Sequence, residues 1–134
     1  MKDAAELCRG LLRKARSHRI TVEASLAAQT LDAACFHAHQ MAEKCLKAFL
    51  AYHRVAFPYT HNLTKHIEAT AAIDPAFRSL LSTVAPLTPY AVELRYDDSF
   101  WPSQQEAEEA RAVALAVLRS VLDRLPEDIR KSPV

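Results

Sequence analysis

The chain has 134 residues, enough for one domain with a real core and too few for two comfortable ones. Half of the residues are hydrophobic, one is glycine, and 17 basic residues against 16 acidic ones leave a net charge of +1. This balance is no polybasic nucleic-acid signature, though it leaves room for a local patch, and no stretch approaches the ~18 uncharged apolar residues of a membrane span. The opening Met1-Lys2-Asp3-Ala4-Ala5-Glu6 has no apolar signal region, so a cytoplasmic protein is expected.

Periodicity and caps give the elements in order. A first helix starts near Asp3 and runs to about Ala28, with Leu7, Leu11, Ala15, Val22 and Leu26 in approximate register and Ser17 to Thr21 as its weakest stretch. Asp32 is placed to cap a second helix that continues to about His53. Phe57-Pro58-Tyr59-Thr60-His61-Asn62 reads as a loop, because Pro58 biases Phe57 away from helical backbone. A short third helix covers about Leu63 to Ala72. Asp74-Pro75, a cap followed by proline at the first helical position, opens a fourth. Pro86 and Pro89 interrupt it, and Thr88-Pro89 restarts it as far as Arg95 or Tyr96. Asp97 to Pro102 is a connector, whose paired carboxylates Asp97 and Asp98 read as turn chemistry rather than a metal site. Ser103 and Glu106 form a capping box. The last helix carries Ala107, Ala110, Ala114, Val117, Val121 and Leu125 on one face until Pro126 ends it. No repeat or alternating strand pattern is present. The expected fold is all-α, a single-domain antiparallel, up-and-down bundle of about five helices over residues 1–126, followed by a flexible tail over 127–134.

Cys8, Cys35 and Cys45 sit in apolar helical patterns. Cys35 and Cys45 lie about 15 Å apart along one helix, too far for a disulfide, so buried free thiols are expected. Six histidines without an i, i+4 pair argue against zinc; His39 and Glu43 share a face but lack a third ligand. Scattered apolar residues such as Val84, Leu87, Val92 and Leu94 exceed what one small core absorbs, which suggests a homodimer, although a well-packed alanine-rich core explains them nearly as well.

The second helix is the most informative. Ala34, Ala38, Met41, Ala42, Cys45, Phe49 and Tyr52 mark a buried face, while Gln40, Glu43, Lys44 and Lys47 recur at i, i+3, i+4 and i+7 as a polar stripe. Two ammoniums one turn apart suit phosphate oxygens. Arg95 offers a bidentate donor, His61 a further donor, and Tyr96 and Trp101 stacking surfaces. The alternative is structural: Glu43 pairs with Lys47 for about 0.3–0.5 kcal/mol, and Arg95 neutralises Glu43 across the bundle. Both readings stay open.

Phe36, His37, Gln40, Glu43, Lys44, Leu46, Lys47 and Ala48, then Thr60-His61-Asn62-Leu63, then Arg95-Tyr96, resemble the HEPN domain (higher eukaryotes and prokaryotes nucleotide-binding) over nearly the whole chain. The resemblance implies an antiparallel helical bundle, often dimeric, that binds a nucleotide such as ATP and is often encoded beside a minimal nucleotidyltransferase as its partner. The nucleotide-binding set it points to is Gln40, Glu43, Lys44, Lys47, His61, Arg95 and Tyr96, with no catalytic residue, metal or cofactor. A toxin-like ribonuclease branch carries Arg, four to six residues, then His at the start of the last helix. No His follows Arg95, which argues against nuclease activity. Arg13 with His18, and Arg54 with His61, match the spacing away from that position. A purely structural dimerisation protein is the remaining alternative.

Overall fold

The computed structural model describes residues 3–91 and 98–131. Its helices are α1 (Ala4–Ala27), α2 (Leu31–Tyr52), α3 (Leu63–Ile73), α4 (Leu81–Val84), α5 (Gln104–Leu122) and α6 (Glu127–Arg130), with 3-10 segments over Pro75–Leu80 and Ala85–Ala91. No strand occurs among the described residues. The all-helical bundle read from periodicity is the observed architecture.

The short turns work without glycine. Both α1 and α2 end in a Schellman motif, in which the residue after the cap adopts left-handed backbone and orphan carbonyls are satisfied. Gln29 (φ 62°) and Arg54 (φ 59°) fill the position that usually takes glycine. Thr30 N–H then donates to Ser25 O at 2.9 Å and Val55 N–H to Leu50 O at 2.9 Å. The first motif turns the chain so tightly that α2 starts at Leu31. Thr30, not Asp32, is the N-cap residue, its hydroxyl donating back to Ser25 O at 3.2 Å. Asp32 sits in the first turn, where its charge faces the positive end of the helix dipole.

α2 is the central element. It packs against α1, α5, α3 and the 3-10 segment Ala85–Ala91, so its buried residues run around most of its circumference. Ala34, Ala38, Met41, Ala42, Cys45 and Phe49 are buried as expected, but so are His39, Glu43, Leu46 and Leu50. Tyr52 is only half-buried. The three cysteines are free and buried. Burial pushes the Cys8 thiol up to about 11 and those of Cys35 and Cys45 up to about 12, which keeps them protonated and unreactive.

Asn62 caps α3 by accepting from Thr64 N at 2.9 Å. The fourth element differs from expectation. Pro75 opens a 3-10 turn capped by Asp74, α4 adds one α turn, and Pro86 and Pro89 both lie within a second 3-10 segment rather than breaking the chain at Thr88. A 3-10 turn tolerates closely spaced prolines because it makes few internal bonds for them to remove. Val84 and Leu87 are buried in the chain's own core and are not surplus surface; Val92 and Leu94 lie outside the described residues. The capping box at α5 is formed, Ser103 N donating to Glu106 Oε1 at 2.9 Å and Glu106 N to Ser103 Oγ at 3.1 Å. Over residues 127–131 the chain is docked where a free tail was expected. α6 buries Ile129 to 1% exposure and places Asp128 3.4 Å from Arg9. No described helix is long and apolar enough to cross a membrane.

Candidate functional site

Glu43, Lys47 and His61 meet where the C-terminal half of α2 faces the loop over 53–62. Glu43 and Lys47 stand one turn apart on α2, and His61 is brought in by the loop that contains Pro58. Glu43 is fully buried. Its Oε1 accepts from His61 Nδ1 at 2.9 Å, and its Oε2 lies 3.1 Å from Lys47 Nζ. Burial alone would raise the Glu43 carboxyl, but the hydrogen bond from His61 and the adjacent Lys47 ammonium outweigh it and hold the group below the ordinary glutamate value. An ionised carboxylate only accepts, so Nδ1 of His61 carries the shared proton and Nε2 is left for solvent or a ligand. The His61 side chain is 60% exposed, so that nitrogen is accessible. The Lys47 ammonium also sits over the Phe57 ring, 5.7 Å from its centroid.

Two buried histidines hold the loop. His39 Nε2 donates to His61 O at 2.8 Å and His66 Nε2 to Thr60 O at 2.9 Å. Successive loop carbonyls are thus pinned by imidazoles from α2 and α3, and both rings have zero exposure. Burial lowers the pKa of each, against the opposing effect of its carbonyl bond, which keeps the rings neutral. With the proton on Nε2, Nδ1 of each ring is a bare acceptor, and neither finds a partner among the described residues.

The result is a cleft of about 590 Å³ whose wall includes Lys47, Phe57, Pro58, Thr60 and His61, with the fully exposed Tyr59 at its rim. A larger hollow of about 660 Å³ lies on the other side of Phe57 and is mostly apolar, with Leu7, Ala51 and Val55 in its lining and Arg54 beside them. The first cleft holds the donors, so it is the chemically equipped one despite its smaller volume.

The polar stripe is therefore split. Glu43, Lys47 and His61 converge, and Glu43 is a core residue, not part of a solvated face. Gln40 is half-buried further up α2. Lys44 turns toward the α1 seam, where burial and then the nearby charges of Lys47 and Lys14 hold its pKa below the ordinary lysine value, opposed by Glu43. On that seam His18 Nδ1 lies 2.9 Å from His37 Nδ1, so the His18 of the chance Arg13–His18 spacing is engaged with another helix. Arg95 and Tyr96 lie outside the described residues. Trp101 is 67% exposed.

His39 and His66 were not legible as site residues from spacing considered as metal chemistry. The signal was present nonetheless. His66 falls with Leu63, Ile67 and Thr70 at i, i+3, i+4 and i+7, a buried stripe with a histidine in it.

A sequence model described as HEPN domain matches residues 8–125. Among solved structures, TT1696 from Thermus thermophilus superposes with a TM-score of 0.77 at 26% identity, covering 88% of this chain and 98% of that one. An archaeal HEPN homologue superposes with a TM-score of 0.70 at 19% identity, covering 92% of this chain and 98% of that one, a likeness of fold alone. No curated protein matches the chain. Since the family match spans nearly the whole bundle, from the first turns of α1 to the buried Leu125 beyond α5, the chain belongs to the HEPN domain family.

Proposed function

We propose that this chain is a nucleotide-binding helical module that works, as a homodimer, with a separately encoded minimal nucleotidyltransferase. The observation that carries the reading is the buried Glu43, which fixes Lys47 and His61 side by side on the wall of the 590 Å³ cleft. Lys47 supplies a compact ammonium for phosphate oxygens, and His61, whose Nδ1–H is committed to Glu43, donates to them through Nε2 in its doubly protonated form. Tyr59 and Phe57 supply aromatic surface for a base. Gln40 and Lys44, which stand away from the cleft on α2, join the set with Arg95 and Tyr96 on the strength of the family resemblance alone. The partnership with a transferase rests on family membership, and the cleft's position at one end of α2 leaves a bound nucleotide open to a second protein.

Calorimetric titration of ATP into the purified chain at low salt tests the reading, with Lys47→Ala, His61→Ala and Arg95→Ala in parallel. Saturable binding by the wild type and its loss in Lys47→Ala and His61→Ala are expected. A flat wild-type titration for a folded protein would sink nucleotide binding. Glu43, Lys47 and His61 would then be a clamp between α2 and the loop, the structural reading that the zero exposure of Glu43 favours.

A further inference from the structure

Away from the Glu43 cleft, α1, α5 and α6 enclose a groove of about 430 Å³. Leu115, Leu118 and Leu122 contribute to its lining, one helical stripe of α5 at i, i+3 and i+7. Leu115 and Leu122 are only half-buried, so the chain's own core does not finish covering the stripe. Around it stand Arg19 from α1, Arg119 from α5, and Arg130 and Lys131 from the C-terminal turn, against one carboxylate, Asp123. With Lys131 neutralised by Glu127, three arginines against Asp123 still leave a local positive field on a chain whose total is only +1.

The partners of these cations matter. Lys131 is paired with Glu127 at 2.7 Å, an exposed i, i+4 pair. The side chains of Arg19, Arg119 and Arg130 make no hydrogen bond or ion pair among the described residues. By contrast Arg111 pairs with Glu23 and Arg124 with Asp74 elsewhere on α5 and its C-terminal turn. The backbone at this groove is also braced: Arg16 reaches from α1 to donate to Arg130 O at 3.2 Å, which fixes α6 as one wall.

The geometry points to this groove as a docking surface for an acidic amphipathic helix of a partner protein, its apolar side chains on the α5 leucines and its carboxylates on Arg19, Arg119 and Arg130. Guanidinium groups match carboxylates bidentately, and a helix presents apolar anchors at the spacing of the leucine stripe. Charge complementarity selects an acidic occupant, and the leucine floor selects a protein. A phosphate backbone has no use for an apolar floor, and no aromatic side chain lines the groove for base stacking.

The test uses a fluorescent sixteen-residue helical peptide with leucine at helical spacing and glutamate on the flanks, followed by anisotropy against the full chain. The same peptide with its leucines replaced by serine, and a single-stranded RNA of equal length, are the comparison probes. Saturable binding is expected for the leucine peptide, weakened about tenfold or more in the Arg119→Glu/Arg130→Glu double variant and lost for the serine peptide. The serine peptide probes the apolar contact on the wild-type protein, so the outcome does not depend on a variant folding. Absence of saturable binding overturns the proposal. So does equal binding of the serine peptide, which would mean charge alone, or tighter binding of the RNA that is lost in the double variant, which would make the groove a nucleic-acid surface.

Discussion

Replacing Glu43 by glutamine tests the site without changing its shape. The amide keeps an acceptor for His61 Nδ1 but turns an N–H donor toward the Lys47 ammonium. A hydrogen bond to a charged group is worth about 1.5–3 kcal/mol net, and one such contact is lost. Stranding a charge deep in a core costs about 3–5 kcal/mol. Lys47 escapes that limit because its side chain keeps 19% exposure and can swing toward water. The expected destabilisation is therefore about 2 kcal/mol, a fall in melting midpoint of roughly 6–8 °C for a chain of this length. Thermal unfolding by circular dichroism reads it directly, and a double-mutant cycle with Lys47→Met assigns the share that belongs to the pair. The pH dependence has a fixed sign. Glu43 titrates below the ordinary glutamate value in the fold, so its stabilisation is complete above about pH 4.5 and fades as pH falls through the lower folded value. The gap between wild type and Glu43→Gln should therefore shrink in acid. A midpoint within about 1 °C of wild type at pH 7 would mean that the carboxylate is solvated and unpaired, and the account of the cleft would fail with it.

His39→Leu removes the donor to His61 O and should cost about 1–2 kcal/mol, with faster amide exchange confined to residues 60–62; unchanged exchange there would show that the loop is held by other means. Acid should weaken the α1–α2 seam. Burial, aided by His37 and Lys44, pushes His18 down to about 4 from an ordinary 6.5, so the unfolded chain takes up its proton first. Stability is then full above about pH 6.5, declines toward pH 4 and levels off below, by about 1 kcal/mol once solvent screening of the half-buried ring is allowed for; urea midpoints that do not respond less steeply to pH in His18→Gln would refute this. Gln29→Gly should stabilise by about 0.5–1 kcal/mol by relieving left-handed backbone at a non-glycine residue, and a lower urea midpoint would contradict the Schellman geometry. Ile129→Ala should lose about 2 kcal/mol; a neutral result would mean that α6 is undocked.

How far these residues could be read from sequence depends on which physical quantity each property needs. Local chemistry was sufficient for the capping box at Ser103 and Glu106, the Asp74 cap, and the loop around Pro58, because each is decided within a few residues. Where two local signals competed, the sequence misled. Asp32 is a better cap than Thr30 by propensity, but the Schellman turn at Gln29 had already set where α2 begins, and that turn was hidden by the absence of glycine. Ile129 is a single apolar residue in a charged stretch, too short for periodicity to register. Its docking is a tertiary event on α1.

Glu43 shows the limit most clearly. Its spacing to Lys47 was correct and its pairing was foreseen, yet its environment was not. Periodicity reports which residues share a face of a helix; it does not report how many neighbours that helix has. α2 is packed by α1, α3, α5 and the 3-10 segment Ala85–Ala91, so a stripe that would be solvated on a peripheral helix lies partly inside the bundle here. That change of environment also alters the chemistry. A solvated Glu43–Lys47 pair would be worth a few tenths of a kcal/mol and would leave both side chains mobile. Buried, the same carboxylate draws His61 out of a loop and fixes it beside Lys47, while His66 and His39 hold the successive carbonyls of Thr60 and His61. The apolar packing that makes α2 central is thus what converts an ordinary i, i+4 ion pair into an ordered set of donors on a cleft wall.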